Sequence, residues 1–94
     1  MKRGNKIVYH PLVVKKDISR LDRPTKKRIQ KAIETKLSFQ PEIYGEPLRG
    51  TLKSYWKLRV GDWRIVYTVV RTEVRILIIA HRSEIYKPAN ERPF

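Results

Sequence analysis

Through the first third of the chain apolar residues recur every three or four positions, and from Leu52 to Ala80 they alternate with polar ones or run together. That change of period divides the chain into a helical part and a sheet part. Lys6-Ile-Val-Tyr9 is a short apolar run that predicts a first strand. His10-Pro11 ends it, and Pro11 suits the first turn of a helix, where a missing N–H costs little. Val14, Ile18 and Leu21 follow at i, i+4 and i+7, an apolar helical stripe. Asp22 before Arg23-Pro24 predicts an N-cap and the start of a second helix. Ile29, Ile33 and Leu37, with Ala32, mark its inner face; Arg23, Lys26, Lys27, Arg28, Lys31 and Lys36 cover the others.

Residues 39–47 contain Pro41, Gly45 and Pro47 and read as a loop. Beyond them Trp56, Leu58 and Val60 point one way, and Tyr55, Lys57 and Arg59 the other. Gly61-Asp62 is the expected turn, although Asp-Gly is the more familiar order in a two-residue hairpin. Residues 63–70 form the next strand, 71–73 a turn, and 74–80 the last strand. Ile76-Leu-Ile-Ile79 is apolar at every position, which predicts a central strand buried on both faces. The order β-α-α-β-β-β predicts an α+β fold. A helical hairpin packs on one face of a small, mainly antiparallel sheet whose other face is open at one end. Residues 87–94 hold two prolines and no period, and read as a tail.

Ninety-four residues make one domain, 1–94, and a chain this size buries only about 60–65% of its unfolded surface. It has no Cys, hence no disulfide, which fits a reducing cytoplasm. The basic N-terminus is followed by only three residues before His10, too few for a signal peptide or a membrane span. The expectation is a cytoplasmic protein that does not enter a membrane.

Charge narrows the partners. Twenty-two Lys and Arg against nine Asp and Glu give +13 and a pI near 10.4. Such a surface predicts binding to nucleic acid or to an acidic protein. Either partner would stabilise a fold that otherwise repels itself.

The candidate chemistry gathers near the strand ends. Arg59 and Arg64 flank the Gly61-Asp62 turn, and guanidinium groups there suit bidentate phosphate binding. Arg64 occupies a strand position that favours β-branched or aromatic residues, so a cation kept there is a candidate for stabilising a transition state. Lys57 shares a face with Arg59 and is a candidate for electrostatic stabilisation or proton transfer. Arg49, Lys53 and Arg82 are candidate phosphate ligands, as are Lys26, Lys27 and Lys31 on the second helix. His81 closes the last strand, beside Arg82 and five residues before Tyr86. A cationic neighbourhood lowers the pKa of both an imidazole and a phenol, so His81 and Tyr86 form a candidate acid–base pair. Tyr86 could instead stack on a base. His10, at the strand-to-helix junction, is read as structural. With no Cys and two distant His, neither a zinc site nor any other metal or cofactor is expected. Ser54 and Ser83 lack the context of a nucleophile.

Three stretches resemble the RelE/ParE superfamily of toxins from type II toxin–antitoxin systems. They are Pro47-Leu-Arg-Gly50, Leu58-Arg-Val-Gly-Asp-Trp-Arg-Ile-Val-Tyr67 and His81-Arg-Ser-Glu-Ile-Tyr86. The likeness covers nearly the whole chain and favours the RelE-like branch. It implies a microbial-RNase-like sheet carrying a helical hairpin, and ribosome-dependent cleavage of mRNA in the A site. There the RNA 2′-hydroxyl attacks its own phosphodiester. It further implies catalytic parts for Lys57, Arg64, His81 and Tyr86. The partners it implies are mRNA, the ribosome and a cognate acidic or amphipathic antitoxin, the toxin alone being monomeric. Two departures stand out: Ala80 replaces an arginine frequent in RelE members, and Tyr55 replaces a second lysine. Pro88 and Pro93 argue against the C-terminal helix common in the family. ParE members share the fold, inhibit DNA gyrase, and usually lack this basic and His/Tyr set. A ParE-like gyrase inhibitor and an inactive, antitoxin-binding relative are therefore the alternatives.

Overall fold

The computed structural model describes residues 4–92, with Tyr86 and Lys87 described by their backbone alone. Strand β1 (Lys6–Tyr9) leads into a first helical segment over residues 11–20. The Nδ1 of His10 accepts the Leu12 N–H at 3.0 Å, satisfying a donor that the helix start leaves unpaired. His10 is buried and has this structural part. Within the segment, Val13–Asp17 opens into a wide π-type turn and Ile18–Arg20 tightens into a 3₁₀ turn. The expected stripe is shifted: Val13 and Asp17 are buried, Ile18 and Leu21 half-buried, and Val14 is 58% exposed. The inward position at 17 is an aspartate, so an apolar period could not reveal it.

Helix α1 (Arg23–Ala32) starts as expected, with Asp22 accepting the Thr25 N–H at 2.9 Å. Hydrogen bonding from the Thr25 side chain, and then from this N–H, lowers the pKa of the Asp22 carboxyl from its ordinary value. The helix runs on through Ile33–Leu37, and Ile29, Ala32, Ile33 and Leu37 are all buried.

Residues 39–47 are more ordered than a loop. They contain helix α2 (Pro41–Tyr44) and strand β2 (Glu46–Pro47). Strands β3 (Trp56–Val60), β4 (Trp63–Val70) and β5 (Glu73–His81) complete a mixed sheet of order β1-β5-β4-β3-β2. Among the described residues only the β1–β5 pair is parallel. The apolar run on β5 is interior, as expected, but the middle place belongs to β4, because β2 adds an edge beyond β3. Val66 pairs with Ile78 while Tyr67 pairs with Ile76, so Leu77 is an extra residue. This bulge turns both Leu77 and Ile78 toward one face.

The helical hairpin covers the first face, over Leu58, Ile65, Tyr67, Ile76 and Ile79. The second face packs Leu52, Val66, Leu77 and Ile78 under Ile85 and Ala89. The last two belong to a closing segment that includes helix α3 (Tyr86–Glu91), where the tail was expected. Pro88 lies in the first turn of α3, where N–H groups have no helical partner, so it does not break the helix. Pro93 and Phe94 lie outside the described residues. Arg92, just after α3, pairs with Asp17 at 2.7 Å, and both side chains are buried. The α+β class and the order of the expected elements hold, with α2, β2 and α3 added to them.

Candidate active site

The second face of the sheet is left open where α3 does not reach it. Strand β2 meets β3 only through Glu46↔Lys57 and Pro47↔Trp56, and Arg59 pairs with Arg64 across the β3–β4 hairpin. Alternation therefore puts Lys57, Arg59 and Arg64 on one face. Together with Tyr44 and Glu46 they line a recess of about 90 Å³. Arg64 is buried, 8% exposed, and its Nη1 donates to the carbonyls of Gly61 and Trp63, each at 2.9 Å. Those two acceptors make a cation tolerable at a buried strand position. Gly61 takes a positive φ of 59° at the first place of the two-residue turn. Glycine first is the order of a type II′ turn, which accounts for Gly-Asp rather than Asp-Gly.

Glu46 and Tyr44 are site residues that the loop reading of 39–47 passed over. Gly45 was the available signal. A Cβ there would lie 1.9 Å from Tyr67 Oη and 2.8 Å from its Cζ, so glycine alone allows the chain this close to the sheet. The Tyr67 hydroxyl donates to Pro41 O at 2.5 Å and ties the same segment down. Burial pushes the Tyr67 phenol well above its usual range.

The structure does not bring His81 to this recess. Trp63 pairs with His81 while Arg64 pairs with Ala80, so His81 faces the helical side. Its ring meets the edge of Trp63 at 5.8 Å and 83°, and its Nδ1 lies 2.9 Å from Ser83 Oγ. It lines a separate cavity of about 120 Å³ with Lys16, Arg20 and Glu84, next to the Asp17–Arg92 pair. The expected gathering of His81 with the arginines at the strand ends is thus corrected for Arg64: neighbouring residues of a strand take opposite faces. Tyr86 heads α3, on the recess side of the sheet, but its side chain lies outside the described residues.

The remaining cations are dispersed. Arg82 is exposed, 3.9 Å from Asp62. Arg49 and Lys53 are exposed on either side of the Gly50–Leu52 turn and do not line the recess. Lys26, Lys27 and Lys31 are exposed on α1. Lys31 joins Arg28, Lys36 and Arg59 around an open groove of about 350 Å³ between α1 and the β3–β4 turn. Among the described residues no three of His, Cys, Asp and Glu gather as a metal-ligand set.

The family model described as the ParE toxin of type II toxin–antitoxin system, parDE, matches residues 7–86. No curated protein sequence matches the chain. Among solved structures, the RelBE2 toxin–antitoxin complex from Mycobacterium tuberculosis is similar at 25% identity and a TM-score of 0.77, covering 84% of this chain and 99% of that one. The RelE–RelB complex from Pyrococcus horikoshii gives 24% identity and 0.69, covering 85% and 97%. A mutant of E. coli toxin RelE in the free state gives 19% and 0.72, covering 94% and 96%; at these last two identities the likeness concerns the fold.

Proposed function

Because this chain belongs to the ParE toxin family of type II toxin–antitoxin systems, we propose that it arrests growth as an endoribonuclease that cleaves mRNA on the ribosome. One observation carries the reading: Lys57, Arg59 and Arg64 converge with one carboxylate, Glu46, in a recess small enough to hold a single phosphate. In this reading Glu46 takes the proton of the RNA 2′-hydroxyl. The 2′-oxygen then forms a bond to phosphorus, and the bond to the 5′-oxygen breaks. The leaving oxygen takes a proton from an acid, for which Tyr86, half of the expected acid–base pair, is the candidate. The three cations stabilise the extra negative charge on the phosphorane. Arg64 is held ready by the turn carbonyls and does not need to reorganise during the reaction. His81 lies outside this set. In this reading the exposed Lys26 and Lys27 meet ribosomal RNA, and Arg49, Lys53 and Arg82 meet flanking phosphates. The toxin–antitoxin complexes among the similar structures support an antitoxin as protein partner. Among the described residues no helix is long and apolar enough to cross a membrane.

The test is cleavage of mRNA on programmed ribosomes, read as new 5′ ends. Glu46→Gln and Arg64→Ala should each slow single-turnover cleavage by about 100-fold or more. Since Arg64 also holds the hairpin turn, Arg64→Lys serves as the folded control: it restores the charge without the fork. His81→Ala should cleave within about threefold of the parent, well short of the loss expected for a general acid or base. A parental rate in both Glu46→Gln and Arg64→Ala refutes the site. The match to a ParE model supports a second reading, inhibition of DNA gyrase without nuclease chemistry. Double-strand DNA breaks with intact mRNA after brief expression would establish it instead.

A further inference from the structure

The groove between α1 and the β3–β4 turn shares only Arg59 with the recess described above. Its cations are Arg28, Lys31, Lys36 and Arg59; among the described residues no carboxylate lines it. Helix geometry makes it one stripe: residues 28, 31, 32 and 35 are successive neighbours on one side of α1 and its continuation. Ala32 and Thr35 keep the floor shallow between the long cations. The opposite flank of the same helix differs. There Glu34 accepts from Gln30 at 3.1 Å, and its charge adds to the burial that raises the Tyr9 pKa. That flank mixes a carboxylate with its cations, Lys26 among them, whereas the groove is lined by cations and small or apolar residues.

Two links join the groove to the recess. Arg59 lines both. It can do so because β2 begins only at Glu46, opposite Lys57, leaving the 58–60 end of β3 as a bare edge where a long side chain can reach either face. Lys36, on the groove, sits 5.6 Å over the ring of Tyr44, which lines the recess. At the turn itself, an added Cβ on Gly61 would meet the Arg28 guanidinium at 3.3 Å, so this glycine leaves room for Arg28 to lie along the hairpin.

We propose that this groove is a second phosphate-binding subsite, which holds the sugar–phosphate backbone of single-stranded RNA flanking the phosphate in the recess. The strand would pass from the recess over Arg59 and along α1. The choice of RNA as the polyanion rests on the nuclease reading; the groove as an extended anion site rests on its own charge and shape. A basic groove that tracks a backbone is a common means of gripping single strands. Guanidinium groups suit phosphate, which they bind through two N–H donors.

The experiment uses the full chain and uncleavable, fully 2′-O-methylated RNA of three and of ten nucleotides, with binding read by fluorescence anisotropy across a salt series. The parent should bind the ten-mer at least about tenfold more tightly than the three-mer. Arg28→Ala/Lys31→Ala should remove most of that gain and lower the salt slope for the ten-mer by about 1.4, since each lost contact to single-stranded nucleic acid is worth about 0.7. Binding of the three-mer should be unchanged, which excludes a fold defect. A ten-mer affinity and slope that resist the double substitution overturn the proposal. So does an equal loss for both lengths. An acidic peptide of matched charge that binds as tightly and loses as much affinity would assign the groove to a protein partner and also overturn it. The nuclease reading fails separately: length-dependent, Arg28- and Lys31-sensitive binding with no cleavage of unmodified mRNA on ribosomes leaves the subsite intact.

Discussion

Cutting the Asp17–Arg92 pair should release the C-terminal helix and cost much of the fold's stability. The carboxylate and guanidinium meet through two bonds, Nη1–Oδ2 at 2.7 Å and Nη2–Oδ1 at 3.2 Å. Each side chain also bonds to β5: Asp17 Oδ2 accepts the Ile79 N–H at 2.9 Å, and Arg92 Nη1 donates to Leu77 O at 3.1 Å. Both are nearly out of water, with side chains 5% and 6% exposed. Removing one partner of a buried pair strands the other charge, at about 3–5 kcal/mol. A domain of this length has about 5–14 kcal/mol in all, at about 0.05–0.15 kcal/mol per residue. Arg92→Met alone should therefore remove about a fifth of the stability at the least. With about 4–8 °C per kcal/mol, its melting midpoint should fall by at least about 12 °C. Asp17→Leu should cost as much. The double variant leaves no stranded charge, only the Ile79 N–H and Leu77 C=O without these partners, at about 1–3 kcal/mol each. It should thus be clearly less destabilised than the sum of the two singles. Urea unfolding followed by circular dichroism measures all three. Additive losses, or a loss under about 1 kcal/mol in Arg92→Met, would refute the argument and return residues 87–92 to the status of a tail.

Gly45→Ala should destabilise by about 1–3 kcal/mol in the same urea assay, because the new methyl overlaps the Tyr67 ring. Tyr67→Phe in that background should recover part of the loss by deleting the nearest atom; no recovery would show that the clash lies elsewhere. The Asp22 carboxyl, held below its unfolded value by Thr25, contributes stability that is complete above the unfolded pKa and fades as pH falls through the folded one. Asp22→Asn should therefore show a smaller drop in melting temperature than the parent between pH 7 and pH 3, and an equal drop would refute the cap's acid dependence. Arg71 holds a positive φ of 57°. Arg71→Gly should stabilise by up to about 1 kcal/mol, the relief of a left-handed residue less the added freedom of the unfolded chain; destabilisation would show that its side chain has a partner worth more than the strain.

Local periodicity was enough for most of the scaffold. Strand β1, the Asp22 cap, the inner face of α1 and the β3–β4–β5 meander each follow from spacing among near neighbours, and spacing is a property of sequence. The three-cation face was legible for the same reason, since Lys57 and Arg59 alternate along one strand and Arg64 lies across a two-residue turn. What depended on residues far apart in the chain was not legible. Asp17 faces inward because Arg92, 75 residues later, neutralises it. The tail is a helix because Ile85 and Ala89 find a cover for Leu52, Val66 and Ile78, a cost-free place for Pro88 notwithstanding. Glu46 enters the recess because β2 pairs with β3, and His81 leaves it because the β4–β5 register puts Trp63, not Arg64, opposite. Pairing register decides which face a side chain takes, and a shift of one residue reverses it. The sequence by itself could therefore name the chemistry-bearing residues, while only the tertiary structure could sort them into one recess and two separate neighbourhoods.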